Sequence, residues 1–390
     1  MTVRAIRASR LFDGLGLVPV ERPTVLVDGG RVVVVQPGRA PIGGAALLDL
    51  GEATLLPGLV DTHVHLCFDA GVDPVGSLAA AGDDEVLAGM RAAARATLAA
   101  GVTTARDLGD RGYLAVRLRD ELAGDPAAGP EVLAAGPPIT TTGGHCWFLG
   151  GEADGVDAVR AAVRERADRG VDVVKVIATG GELTPGTPVH EAQYGPDELR
   201  AAADEAHRRG LPVAVHAHGV PGIANAVAAG VDTIEHCSFA TAGGAGARPE
   251  LIDAIVESGA IVSATVGFLP GASLSPDAAA RLPGIVDAFT RMRAAGVPIV
   301  CGSDAGISPD SPHGVLPYAA EVMAGLGFTP VETLRSMTSL AAEACRVGGR
   351  KGRVAPGFDA DLLAVDGDPT TDVAALRAVA AVFRAGHRVR

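Results

Sequence analysis

Four absences narrow the reading first. The 390 residues contain no run of basic residues and carry a formal net charge of -13, with a pI near 5.2. Nucleic acids and anionic membranes need basic patches, so neither is expected as a partner, and the acidity mainly supports solubility. No stretch of about 18 residues is apolar enough to span a bilayer, and the opening MTVRAIRASRLFDGLG lacks the continuous apolar core of a signal peptide. A cytoplasmic chain is expected. The five cysteines are odd in number and include no CxxC spacing, which argues against a disulfide framework and a thiolate zinc site; they read as small buried hydrophobes. Aromatics make up only 3 % of the chain, while 52 glycines are scattered along it, a pattern of many short turns rather than disorder.

What is present is a hydrophobic fraction of 48 %, enough for a large single core with an accessory part. From about residue 59, short apolar runs alternate with alanine-rich helical stretches: LVDTHVHL (59–66), TTARDLG (103–109), EVLAAGPPIT (131–140), VDVVKVI (171–177), PVAVHAH (212–218), DTIEHCS (232–238), AIVSATV (260–266) and PIVCGSDAG (298–306). Helical segments such as EVLAGMRAAARATLAAG and PDELRAAADEAHRRG end at glycines, where a residue of positive φ is expected. Eight such units predict an α/β chain folded as a (β/α)8 TIM barrel. An open doubly wound sheet is the second choice, because no glycine-rich dinucleotide fingerprint follows the first strand. Both ends are strand-rich without helical periodicity. They are expected to combine, residues 1–56 with 352–390, into a small β-sandwich domain beside a 57–351 hydrolase barrel.

Candidate site residues sit at the strand ends. His63 and His65 are two apart in a strand and project from one face. His216 and His218 repeat that relation, His236 ends DTIEHCS, and Asp304 ends the last run. In (β/α)8 enzymes strand C-termini deliver side chains to one mouth. Histidine and carboxylate donors without thiolates favour zinc, with manganese, iron or cobalt as alternatives.

Lys175, in the middle of the otherwise apolar VDVVKVI, needs its own explanation, because lysine is almost never buried without a partner or a task. Its ammonium has a usual pKa near 10.4, and removing the proton at neutral pH costs roughly 4.6 kcal/mol. If CO2 adds to the neutral amine, the side chain becomes a carbamate whose two oxygens can bridge two metals. A latent ligand is therefore expected.

These features resemble the amidohydrolase superfamily, in its imidazolonepropionase-like, prolidase-type branch. The likeness runs through LLPGLVDTHVHL, VKVIATGG, VHAHG, DTIEHCS, GSDAG and the closing GRVAPGFDADLLAVDGDP. The resemblance implies two divalent metal ions, zinc by expectation: His63 and His65 hold one with Asp304, carboxylated Lys175 bridges, and His216 and His236 hold the second. A hydroxide shared by the metals is the implied nucleophile, with Asp304 as ligand and proton shuttle. His145, in TTTGGHCWFLGG, is implied at the substrate carbonyl. His218 is implied near a substrate carboxylate, and Tyr194, in HEAQYGPDEL, is expected to bind one through its hydroxyl. His190 and His313 are expected in surface or capping roles, His207 and His387 in solvent.

The implied activity is hydrolysis of an amide C–N bond in dipeptides or N-acyl amino acids, by a homo-oligomer. The first alternative is a mononuclear cyclic-amide hydrolase or deaminase, which would have no use for a bridging lysine. The other is a catalytically inactive barrel acting as a scaffold.

Overall fold

The computed structural model describes residues 3–18, 20–38 and 40–390. Eight parallel strands correspond one for one to the eight apolar runs: β1 Leu59–Val64, β2 Val102–Asp107, β3 Glu131–Ala134, β4 Val174–Ile177, β5 Val213–Gly219, β6 Thr233–Thr241, β7 Ile261–Thr265 and β8 Ile299–Gly302. β1–β3 form one sheet and β4–β8 another. Backbone hydrogen bonds join the two. Ile139, just beyond β3, accepts from Ile177 and donates to Lys175, both at 2.8 Å, while Asp304 donates to His63 at 2.8 Å and His65 to Ala305 at 3.0 Å. With no free edge between β3 and β4 or between β8 and β1, the ring is of TIM-barrel type and the open sheet is excluded.

The strands are covered on the outside by helices that follow them in turn. These are α1 Pro74–Ala80 and α2 Asp83–Ala99 after β1, α3 Leu114–Leu122, α4 Gly155–Asp168, α5 Pro196–Arg208, α6 Val220–Ala229, α7 Pro249–Ser258, α8 Pro276–Ala294 and α9 Leu316–Gly325. Because each strand faces helices on one side and the barrel interior on the other, continuous apolar runs are what burial demands; all of Val174–Ile177 is buried. The glycines expected to stop α2 and α5 have φ of +94° at Gly101 and +74° at Gly210.

Strands from both chain ends share one five-stranded sheet, in which Thr54–Pro57 lies between Arg10–Leu11 and Leu362–Val365, followed by Val379–Arg384 and His387–Arg388. A second sheet of Arg4–Arg7, Thr24–Asp28, Arg31–Gln36 and Ala46–Asp49 is built from N-terminal residues. Side chains of both, among them Ile6, Val25, Leu55, Leu362 and Phe383, bury one apolar cluster. All five cysteines are buried and free. Among the described residues no helix is long and apolar enough to cross a membrane.

Candidate metal centre

The ends of β1, β4, β5, β6 and β8 bring His63, His65, Lys175, His216, His218, His236 and Asp304 to one mouth. His63 and His65, projecting from the same face of the β1 end, have Nε2 atoms 3.3 Å apart. Asp304 Oδ1 lies 3.5 Å from His63 Nε2 and 3.4 Å from His65 Nε2. The ring of His236 is 5.1 Å from that of His63, 4.6 Å from that of His216 and 4.4 Å from that of His218. Two trios, His63, His236 and Asp304, and His216, His218 and His236, each offer donor atoms within 4.8 Å of one another.

Neighbours decide which ring nitrogens carry protons. His63 Nδ1 donates to the Glu235 carboxylate at 2.9 Å and His65 Nδ1 to the Gly109 carbonyl at 3.0 Å, so both turn an unprotonated Nε2 towards Asp304. His216 Nε2 donates to the Gly180 carbonyl at 3.0 Å, which leaves its Nδ1 as the lone pair. The β6 histidine places its Nδ1 2.7 Å from Thr265 Oγ1, and His218 Nδ1 lies 2.9 Å from Ser238 Oγ. Two nitrogen lone pairs and a carboxylate oxygen within 3.5 Å repel one another unless something positive stands between them. Burial pushes the Asp304 carboxyl up to about 7, so this cluster holds either a shared proton or a cation. Charge, donor type and convergence all fit a divalent metal.

Burial, with the Lys175 charge second, lowers the His63 imidazole well below its usual range, and burial takes His65 down to about 4. Neutral imidazole is the ligand form. The charge of Lys175 is felt at His63, His65, His145, His216, His218 and His236, so its amine stands amid the cluster. The side chain is 1 % exposed, and its Nζ has no hydrogen-bond partner among the described residues. Burial pushes the ammonium down to about 8 although Glu235 and Asp304 pull it up. A lysine buried and unpaired in this way is the opposite of the snorkelling or salt-bridged side chain usually found in a strand.

Backbone geometry contributes too. His236 and Asp304 have φ of +67° and +56°, a left-handed conformation that side chains larger than glycine seldom adopt and that recurs at functional sites. At His236 it breaks strand alternation, which allows the consecutive Glu235 and His236 both to reach the barrel interior.

The remaining expectations divide. His145 is buried against His216, ring centroids 4.8 Å apart; burial holds it neutral, down to about 3, and its Nδ1 has no partner among the described residues. His218 is pushed down to about 3 by burial first and then by the charges of Arg281 and Lys175. Tyr194 is 3 % exposed and its hydroxyl donates to the Ala153 carbonyl at 2.6 Å, so its proton is used inside the fold rather than offered to a ligand. His313 Nε2 bonds the Phe68 carbonyl at 2.8 Å, a capping contact, and His387 is exposed. His207 is not simply solvated, since its Nε2 lies 2.7 Å from Asp232.

Sequence reasoning missed Glu235 and Arg106. Arg106 is buried on β2; it donates to the Thr62 carbonyl at 2.7 Å and to Glu235 at 3.0 Å, so one carboxylate joins a buried guanidinium to the first histidine. A charged residue inside each apolar run was the available signal.

Residues 54–389 match the Amidohydrolase family. Ochratoxinase of Aspergillus niger is 29 % identical over 389 aligned residues, covering 85 % of this chain and 75 % of that one. Imidazolonepropionase of Cereibacter sphaeroides is 28 % identical, covering 93 % of this chain and 92 % of its own. A crystal structure of a Xaa-Pro dipeptidase with bound methionine in its active site superposes with a TM-score of 0.88 at 29 % identity, covering 99 % of both chains. The chain belongs to the amidohydrolase family, in the branch that includes prolidases and imidazolonepropionase, and is a hydrolase of amide C–N bonds.

Proposed function

We propose that this hydrolase works with two divalent metal ions on dipeptides or N-acyl amino acids that carry a free carboxylate. One observation carries the reading: the amine of Lys175, without a hydrogen-bond partner among the described residues, stands amid histidines and Asp304. Its neutral nitrogen attacks CO2, releases one proton and becomes a carbamate, an anion with two acceptor oxygens. His63, His65 and Asp304 would hold one ion, His216 and His236 the other, with the carbamate between them and zinc the first choice of metal. Bound there, the ions would acidify a shared water to give the hydroxide nucleophile and polarise the scissile carbonyl.

The protein's own groups do the rest. Asp304, whose Oδ1 lies within 3.5 Å of both β1 histidines, is placed to take the proton of the nucleophile and pass it to the departing amine. His145, neutral and buried, donates to the substrate carbonyl oxygen as negative charge develops there. His218 faces the substrate carboxylate. A similar part for Tyr194 requires its hydroxyl to leave the Ala153 carbonyl. Around this centre we read residues 57–351 as the catalytic barrel and residues 1–56 with 352–390 as a composite β-sandwich. We further propose a homo-oligomer, on family likeness alone.

A panel of dipeptides, N-acyl amino acids, lactones and phenylureas assayed on metal-loaded protein tests the reading. Cleavage of a dipeptide or N-acyl amino acid, with two metals per chain, is expected. A folded, loaded protein that cleaves none of these, or acts only on cyclic amides with one metal, overturns it.

A further inference from the structure

A cavity of about 740 Å³ opens between the loop that follows β4 and the first turns of α8. Gly181, Glu182, His190, Asp277 and Arg281 are among its lining residues. Its inner wall abuts the site already described. A Cβ on Gly181 would sit 2.3 Å from His145 Nε2, and the preceding Gly180 accepts from His216. One turn further along α8, Gly284 seats the helix against the chain beyond β6, where a Cβ would meet the Ala245 carbonyl at 2.0 Å.

Arg281 enters from α8 with 15 % of its side chain exposed, close enough for its charge to be felt at His218. A guanidinium has five N–H donors. Among the described residues Arg281 uses one group, Nη2, which donates to the Glu182 carboxylate; Nε and Nη1 donate to nothing. Glu182 is 56 % exposed at the rim, so the carboxylate end of the pair is open to water and can be exchanged for another anion. A planar carboxylate engaged by two parallel N–H groups is the better partner for a guanidinium.

We propose that this cavity is the subsite for the free carboxylate of the substrate, that Arg281 binds it, and that Glu182 occupies the guanidinium until the substrate arrives. The identity of the ligand rests on the amide-hydrolase reading above; the anion site does not.

Calorimetric binding of L-leucine and of L-leucinol, which lacks the carboxylate, to metal-loaded wild type, R281M, R281K and E182Q tests it without requiring turnover. Wild type is expected to prefer leucine. R281M should lower leucine affinity roughly 10- to 100-fold, the worth of a charge-assisted bond, and so erase the preference. R281K should retain part of it, and E182Q should tighten leucine binding by up to about 5-fold as the competing carboxylate disappears. An unchanged preference in R281M, or equal loss of both ligands, overturns the proposal. If R281M does not fold, wild-type leucine affinity in both R281K and E182Q overturns it instead. Failure of wild type to cleave any dipeptide or N-acyl amino acid while the leucine preference persists sinks the proposed substrate class and leaves this subsite standing.

Discussion

Glu235 Oε2 lies 2.9 Å from His63 Nδ1, while its other oxygen accepts from Arg106 at 3.0 Å and from Thr233 Oγ1 at 2.6 Å, with every partner buried. The carboxylate fixes the His63 tautomer and neutralises a guanidinium that, among the described residues, makes no other ion pair. E235A should therefore destabilise the protein by about 3–5 kcal/mol, because it strands a buried cation. Metal affinity should drop ~10- to 100-fold through His63. Urea unfolding and chelator competition measure the two effects; E235Q, which keeps the volume, should show the affinity loss with the smaller stability loss.

K175M removes a buried amine that lacks a hydrogen-bond partner among the described residues and fills its space with an apolar chain of similar length. The metal-free variant should be more stable than metal-free wild type by about 1–3 kcal/mol, the cost of an unsatisfied buried polar group. Reconstituted with zinc and bicarbonate, it should bind no more than one ion per chain. Thermal unfolding and elemental analysis decide both points.

G181A places a methyl group 2.3 Å from His145 Nε2, at a position where φ imposes no strain of its own. The His145 ring must shift. Misplacing a group at the reacting carbonyl by about 1 Å costs on the order of 100-fold, so kcat should fall by about that factor while the unfolding midpoint stays near wild type. Unchanged kcat would remove His145 from the proposed chemistry.

The pattern of the chain shows where sequence reading succeeds and stops. His63 with His65, and His216 with His218, were legible because strand alternation is local and puts i and i+2 on one face. Lys175 was legible as a contradiction within an apolar run. The Glu235–His63 contact spans 172 residues and exists only once β1 and β6 are closed into one ring. The left-handed backbone at His236 likewise leaves no trace in residue type, since histidine is an ordinary strand residue. Tyr194 read as a polar group on a loop, yet the fold buries it and supplies Ala153 as its acceptor.

Acid sensitivity should appear where the barrel meets the C-terminal segment. Glu131, on β3, contacts Arg350 and Lys351; burial raises its carboxyl, but the two cations outweigh that and hold it at about 2, against an ordinary 4.5. Its folded pKa is depressed, so its stabilisation is complete above pH 4.5 and fades as pH falls towards 2. Wild type should exceed E131Q by about 1–3 kcal/mol at pH 7, and the gap should close across that window. Paired urea titrations at several pH values measure it.

The carbamate on Lys175 is the centre of the account, and 13C NMR of zinc protein reconstituted with 13C-bicarbonate tests it most directly. One carbamate resonance per chain, absent from K175M, is the predicted spectrum. A fully metallated, active wild type without that resonance would contradict the account.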